Sequence, residues 1–129
     1  MLHVYLIEDD PALRTSIGEV INAACDAQIV GAAETESQAV KWLIDHPAKW
    51  QLVVLDLFLK DGTGFGVLKR LAPLSRKAPV IVLTNSASPE NRRHCMRLGA
   101  LAVYDKTTQL EEFMGHCLRH ARTVEVGPR

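Results

Sequence analysis

The chain has 129 residues, with 15 Lys plus Arg balancing 15 Asp plus Glu. That length suits one domain, 47% hydrophobic residues suffice for its core, and a formal charge of zero offers no global basic field for nucleic acid. Three cysteines (Cys25, Cys95, Cys117), no signal-like leader and no apolar run near the ~20 residues of a membrane span point to a reducing cytoplasm and no membrane partner.

Residues 3–8, HVYLIE, are rich in β-branched and aromatic residues, which predicts a strand. Asp10 then offers a helix cap and Pro11 a first helical position. Leu13, Ile17, Val20, Ile21 and Ala24 follow on one helical face. A second strand is expected over 27–34. Ala39, Val40, Leu43 and Ile44 mark a second helix, ended by His46-Pro47. Residues 51–56, QLVVLD, are the most continuous strand, and the helix over 65–74 is interrupted near Pro73. Residues 79–84, PVIVLT, read as a buried strand, and Ser88-Pro89 opens a fourth helix. A short strand over 101–105 precedes a last helix that Thr107 or Thr108 opens. Leu110, Phe113, Met114, Cys117, Leu118 and Ala121 share one face of it. Residues 1–122 are expected to form the domain and 123–129 a short tail.

Five β–α units in a row predict a doubly wound parallel α/β sheet covered on both faces. Ligands of such sheets bind beyond the carboxyl ends of the strands. Those ends carry Glu8-Asp9-Asp10, Asp56, Thr84-Asn85-Ser86 and Asp105-Lys106. In the strand order 2-1-3-4-5, the first, third, fourth and fifth strands are neighbours, so these groups converge. Clustered carboxylates repel unless a hard cation sits among them, and Mg²⁺ takes oxygen ligands. Asp56 then suits a nucleophile toward phosphorus, with the Lys106 ammonium and Thr84 hydroxyl meeting phosphoryl oxygens. Gly62 and Gly64 suit a tight turn after it.

With these residues in place, the chain resembles a response regulator receiver domain over 2–121. The resemblance rests on "YLIEDDP", "VVLDLFLKDGTGFGVLKRL", "PVIVLTNSA", "RLGALAVYDK" and the last amphipathic helix. It implies a flavodoxin-like receiver fold, with Asp56 as phosphoacceptor and Glu8, Asp9, Asp56 and the Phe58 backbone carbonyl as Mg²⁺ ligands. Asp10, one place later, keeps its cap. Thr84 becomes the switch hydroxyl and Lys106 the phosphate-pairing lysine. It further implies a histidine kinase or phosphotransfer protein as donor. A downstream protein would bind at the fourth helix, fifth strand and last helix, the face that would also serve a homodimer. No nucleic-acid contact by this chain and no exogenous substrate are implied. A stand-alone receiver and the N-terminal receiver of a longer DNA-binding regulator share this appearance.

Four positions depart from the family pattern. Val103 stands where a switch aromatic is usual, and its neighbour Tyr104 belongs on the opposite sheet face. Thr107 replaces the proline after Lys106, so a cis peptide is not expected. Lys60 stands where proline is frequent. Phe58 is bulkier than usual and is expected to shield an acyl phosphate from water. Two rivals follow. A pseudo-receiver would bind partners without phosphorylation. A haloacid-dehalogenase-like phosphatase would want a second Asp where Phe58 stands. Arg92, Arg93 and Arg97 form either a solvated face or a docking patch, and Tyr104 an exposed edge residue or part of that surface. His116 and His120, one turn apart after Glu112, are expected to face solvent rather than hold a metal. "GTGFG" over 62–66 follows the third strand rather than the first, so it is not a dinucleotide fingerprint, and no P-loop motif occurs.

Overall fold

The computed structural model describes residues 1–74 and 79–126, with the side chains of 125 and 126 left aside. Its elements alternate as β1 (Leu2–Ile7), α1 (Pro11–Ala24), β2 (Ala27–Ala33), α2 (Glu36–Asp45), β3 (Leu52–Leu55), α3 (Gly64–Leu71), β4 (Val80–Thr84), α4 (Pro89–Arg97), β5 (Ala102–Asp105) and α5 (Leu110–Val126). The strands pair in parallel in the order β2-β1-β3-β4-β5, the doubly wound arrangement expected from the sequence.

The period of two along each strand divides the core. Tyr5, Ile7, Val53, Leu55, Val80 and Val82 face α2, α3 and α4. Leu2, Val4, Leu6, Leu52, Val54, Ile81 and Leu83 alternate with them and face α1 and α5. Cys95 and Cys117 are fully buried, one in each layer. Burial pushes their thiols up to about 11 and about 12, so both stay protonated at neutral pH.

Side-chain caps set most helix starts. Asp10 accepts from Ala12 and Leu13, and Ser88 from Asn91, as the sequence indicates. Thr35 and Thr63 cap α2 and α3 in the same way. The last helix differs from expectation. Asp105 accepts the N–H groups of Thr107 at 2.7 Å and Thr108 at 3.0 Å, so those residues form a turn. The helix opens only at Leu110, and it continues to Val126, into the segment expected as tail. Residues 127–129 lie outside the described residues. The third helix ends at Leu71, and 72–74 continue as a turn ahead of the undescribed 75–78.

Candidate functional site

The carboxyl ends of β1, β3, β4 and β5 meet at one rim. Glu8 follows β1 and donates its N–H to Ala33 O at 3.1 Å, while Asp56 follows β3 and donates its N–H to Ile7 O at 3.0 Å. These backbone bonds carry the sheet register one residue past the strands, and so fix both carboxylates. Glu8, Asp9 and Asp56 each present an oxygen within 4.8 Å of the others. Three carboxylates at that spacing fit a hard divalent cation such as Mg²⁺.

Lys106 enters from the end of β5, where its N–H donates to Thr84 O at 3.1 Å. Its ammonium donates to Asp56 Oδ2 at 2.8 Å and also to Glu8 Oε1. Burial alone would lower the Lys106 pKa, but the bonds to Asp56 and Glu8 outweigh it and hold the ammonium above the ordinary lysine range. Glu8 is 1% exposed. Burial raises its pKa most, Lys106 opposes the rise, and Asp56 and Asp9 add to it. The second oxygen of Asp56, Oδ1, accepts the Leu57 N–H at 2.7 Å. Thr84, also 1% exposed, accepts the Ser86 N–H on its hydroxyl at 3.1 Å. Asp10 stands aside as the α1 cap, as expected.

The loop after Asp56 is built for close approach. A Cβ at Gly64 would lie 2.4 Å from Asp56 O, and Gly62 adopts a φ of 82°. Phe58 projects from this loop, 53% exposed, with its ring edge-on to Phe65 at 6.4 Å. Phe65 stacks in turn on His94 of α4.

The α4–β5–α5 face sharpens three readings. Arg92 separates from Arg93 and Arg97, which are exposed. Its guanidinium donates to Ala87 O at 3.0 Å, to Val103 O at 2.8 Å and to Gln109 Oε1, stapling the β4–α4 loop, β5 and the start of α5. Tyr104 is half-buried rather than an exposed edge residue, and its hydroxyl bonds His116 Nδ1 at 2.9 Å. His116 and His120 therefore do not face free solvent, since His120 Nε2 also bonds Gln51 O at 3.2 Å. Val103 is buried in the α2–α3–α4 layer while Tyr104 packs on the α1–α5 layer, the opposed placement that alternation predicts. The described residues contain no cis peptide.

Two residues escaped the sequence reading. Arg14 donates to Glu8 O at 2.8 Å and pairs with Glu34 at 3.3 Å. Glu36 reaches from α2 to the Thr63 N–H at 3.1 Å. The Arg14–Glu34 and Glu36–Thr63 contacts join residues 20 and 27 apart in sequence, and no motif marks them.

The response regulator receiver domain model matches residues 4–117. Transcriptional regulatory protein CiaR of Streptococcus pneumoniae is 31% identical over 87% of this chain and 48% of its own length. Nitrate/nitrite response regulator protein NarL of Escherichia coli is 26% identical over 86% of this chain and 50% of its own length. The chain thus spans about half the length of these curated relatives. A response regulator receiver domain from Rhodospirillum rubrum is similar in structure, with a TM-score of 0.77, 27% identity and coverage of 98% of this chain and 96% of that one. The response regulatory domain of mrkE from Klebsiella pneumoniae shares the fold at a TM-score of 0.83 and 18% identity, covering 98% of this chain and all of that one. Among the described residues no helix is long and apolar enough to cross a membrane.

Proposed function

Because this chain belongs to the response regulator receiver domain family of two-component signalling, we propose that Asp56 accepts a phosphoryl group from a histidine kinase or phosphotransfer protein. The observation that carries this reading is the Lys106 ammonium bonded to both Glu8 and Asp56 beside the third carboxylate of Asp9.

A carboxylate oxygen of Asp56 attacks phosphorus, the phosphorus–nitrogen bond of the donor phosphohistidine breaks, and the imidazole leaves with its electron pair and takes a proton. Leu57 N–H and Lys106 hold the Asp56 carboxylate in place before attack. Lys106 stays charged and turns from the free carboxylate to the phosphoryl oxygens. The Thr84 hydroxyl, which accepts from the Ser86 N–H, donates a hydrogen bond to a phosphoryl oxygen. Glu8, Asp9, Asp56 and the Phe58 carbonyl would hold Mg²⁺, whose charge offsets that of the phosphoryl group. The exposed Phe58 ring shields the acyl phosphate from water.

The output surface comprises α4, β5 and α5, with Arg93 and Arg97 exposed on it and Val103, Tyr104 and Arg92 behind it. A downstream protein or a second copy of the chain docks there, in the cytoplasm. A second reading, the receiver of a longer DNA-binding regulator, is favoured by the match to about half of CiaR and NarL. Neither reading gives this chain an exogenous substrate.

Intact-mass analysis with Mg²⁺ and a small-molecule phosphodonor tests the proposal. One phosphoryl adduct is expected, dependent on Mg²⁺ and absent from Asp56→Asn. A folded wild type that takes no phosphoryl group from several donors would overturn it in favour of a phosphorylation-independent binding module.

A further inference from the structure

Glu36 lies outside the acid cluster, yet its carboxylate is built into the loop that follows Asp56. Oε1 accepts the Thr63 N–H at 3.1 Å, and Oε2 lies 3.5 Å from Arg70 of α3. Its backbone N–H donates to Asp61 O at 3.0 Å. Two glycines make the space for the side chain. A Cβ at Gly62 would lie 2.5 Å from Glu36 Cβ, and one at Gly66 would lie 2.0 Å from Glu36 Oε1.

The contacts continue from this cradle to Asp56. Thr63 caps α3 by accepting the Gly66 N–H at 3.1 Å. Gly64, the next residue, donates its N–H to Leu57 O at 2.7 Å and packs against Asp56 O. Leu57 then donates its N–H to Asp56 Oδ1 at 2.7 Å. A hydrogen bond from a backbone N–H to an ionised carboxylate is of the stronger kind, and Glu36 is half-buried where it forms. A loop held by such a bond keeps its N–H groups aimed, which is the condition for a preorganised site.

We propose that Glu36 is a positioning residue for Asp56: its carboxylate fixes the β3–α3 loop from the α2 side and so aims the Leu57 N–H at the Asp56 carboxylate. This rests on the reading of Asp56 as phosphoacceptor.

The test compares Glu36→Ala, Glu36→Gln, Gly66→Ala and the double variant Glu36→Ala/Gly66→Ala. Two quantities are measured: amide hydrogen exchange at Thr63 and Leu57 in the metal-free protein, and the rate of phosphoryl uptake from a small-molecule donor with Mg²⁺. Glu36→Ala is expected to speed exchange at both amides and slow uptake about tenfold, the lower end of the worth of one bond to a charged group. Glu36→Gln keeps an acceptor oxygen but loses the charge, so it falls between wild type and Glu36→Ala. The Gly66→Ala methyl takes the place of the carboxylate and reproduces the Glu36→Ala defect. Once Glu36 is already alanine, the same methyl adds no defect. Wild-type exchange and uptake in Glu36→Ala would overturn the proposal, as would Glu36→Gln failing like Glu36→Ala or strictly additive effects of the two alanines. A wild type that takes no phosphoryl group would overturn the phosphoacceptor reading instead, and amide exchange would still show whether Glu36 holds the loop.

Discussion

The two ends of the sheet are built on different principles. At the amino ends of the strands Trp50 is 1% exposed, its indole N–H donating to Leu43 O at 3.1 Å. Tyr5, Trp42 and His46 stack in turn, with successive ring centroids 4.4 and 4.6 Å apart, and Tyr5 and Trp42 belong to the same core layer as Trp50. At the carboxyl ends, Glu8 and Asp56 share one ammonium with Asp9 beside them, and glycines replace bulk in the loop that follows Asp56. One end gains stability from apolar and aromatic burial. The other holds like charges together, an arrangement whose use is in chemistry rather than stability. The two ends share the strands but none of these side chains, so a change at one should leave the other's property intact.

Lys106→Ala gives the largest expected loss at the chemical end. It removes the cation that meets the phosphoryl oxygens, and uptake measured by intact mass should fall by about 10²-fold. Uptake at the wild-type rate would break the contrast. Trp50→Ala is the counterpart at the amino end. Emptying that site should cost about 3–5 kcal/mol in urea unfolding. The folded fraction should still take up phosphate at the wild-type rate. A slower rate would show that the two ends are coupled through β3.

Phe58→Asn tests a large apolar side chain exposed at the chemical rim. If its ring excludes water, the isolated phosphorylated protein should lose its phosphoryl group severalfold faster, as followed by mass spectrometry over time. An unchanged lifetime would leave the ring without that role.

The smallest expected effect lies between the two ends, on α5. Burial, then the nearby Arg119 and His120 cations, lower the His116 pKa below its ordinary 6.5. The folded state therefore binds fewer protons there than the unfolded chain. The stability from neutral His116 is present above 6.5 and is lost as pH falls through the lowered value. From about pH 7.5 to about pH 5.5, the urea midpoint of wild type should drop more than that of His116→Gln. Parallel profiles would show that His116 makes no contribution to the pH dependence of stability.

Short apolar runs, helical periodicity and cap residues located the strands and helices, because strands covered on both faces are apolar throughout and surface helices bury one stripe. Asp10 and Ser88 were legible as caps because a cap acts within its own turn. Glu8, Asp9, Asp56, Thr84 and Lys106 were legible because each ends a strand, and parallel strands bring their ends together. The tertiary structure decided the rest. Arg92 is a staple and not a free charge, since its three acceptors lie on separate elements. Thr107 and Thr108 failed as openers because Asp105, upstream of both, takes their N–H groups. His116, His120 and Glu36 find partners 12, 69 and 27 residues away. A sequence states which groups repeat and which stand at an end. Which long side chain meets which backbone atom depends on distances set only when the layers pack.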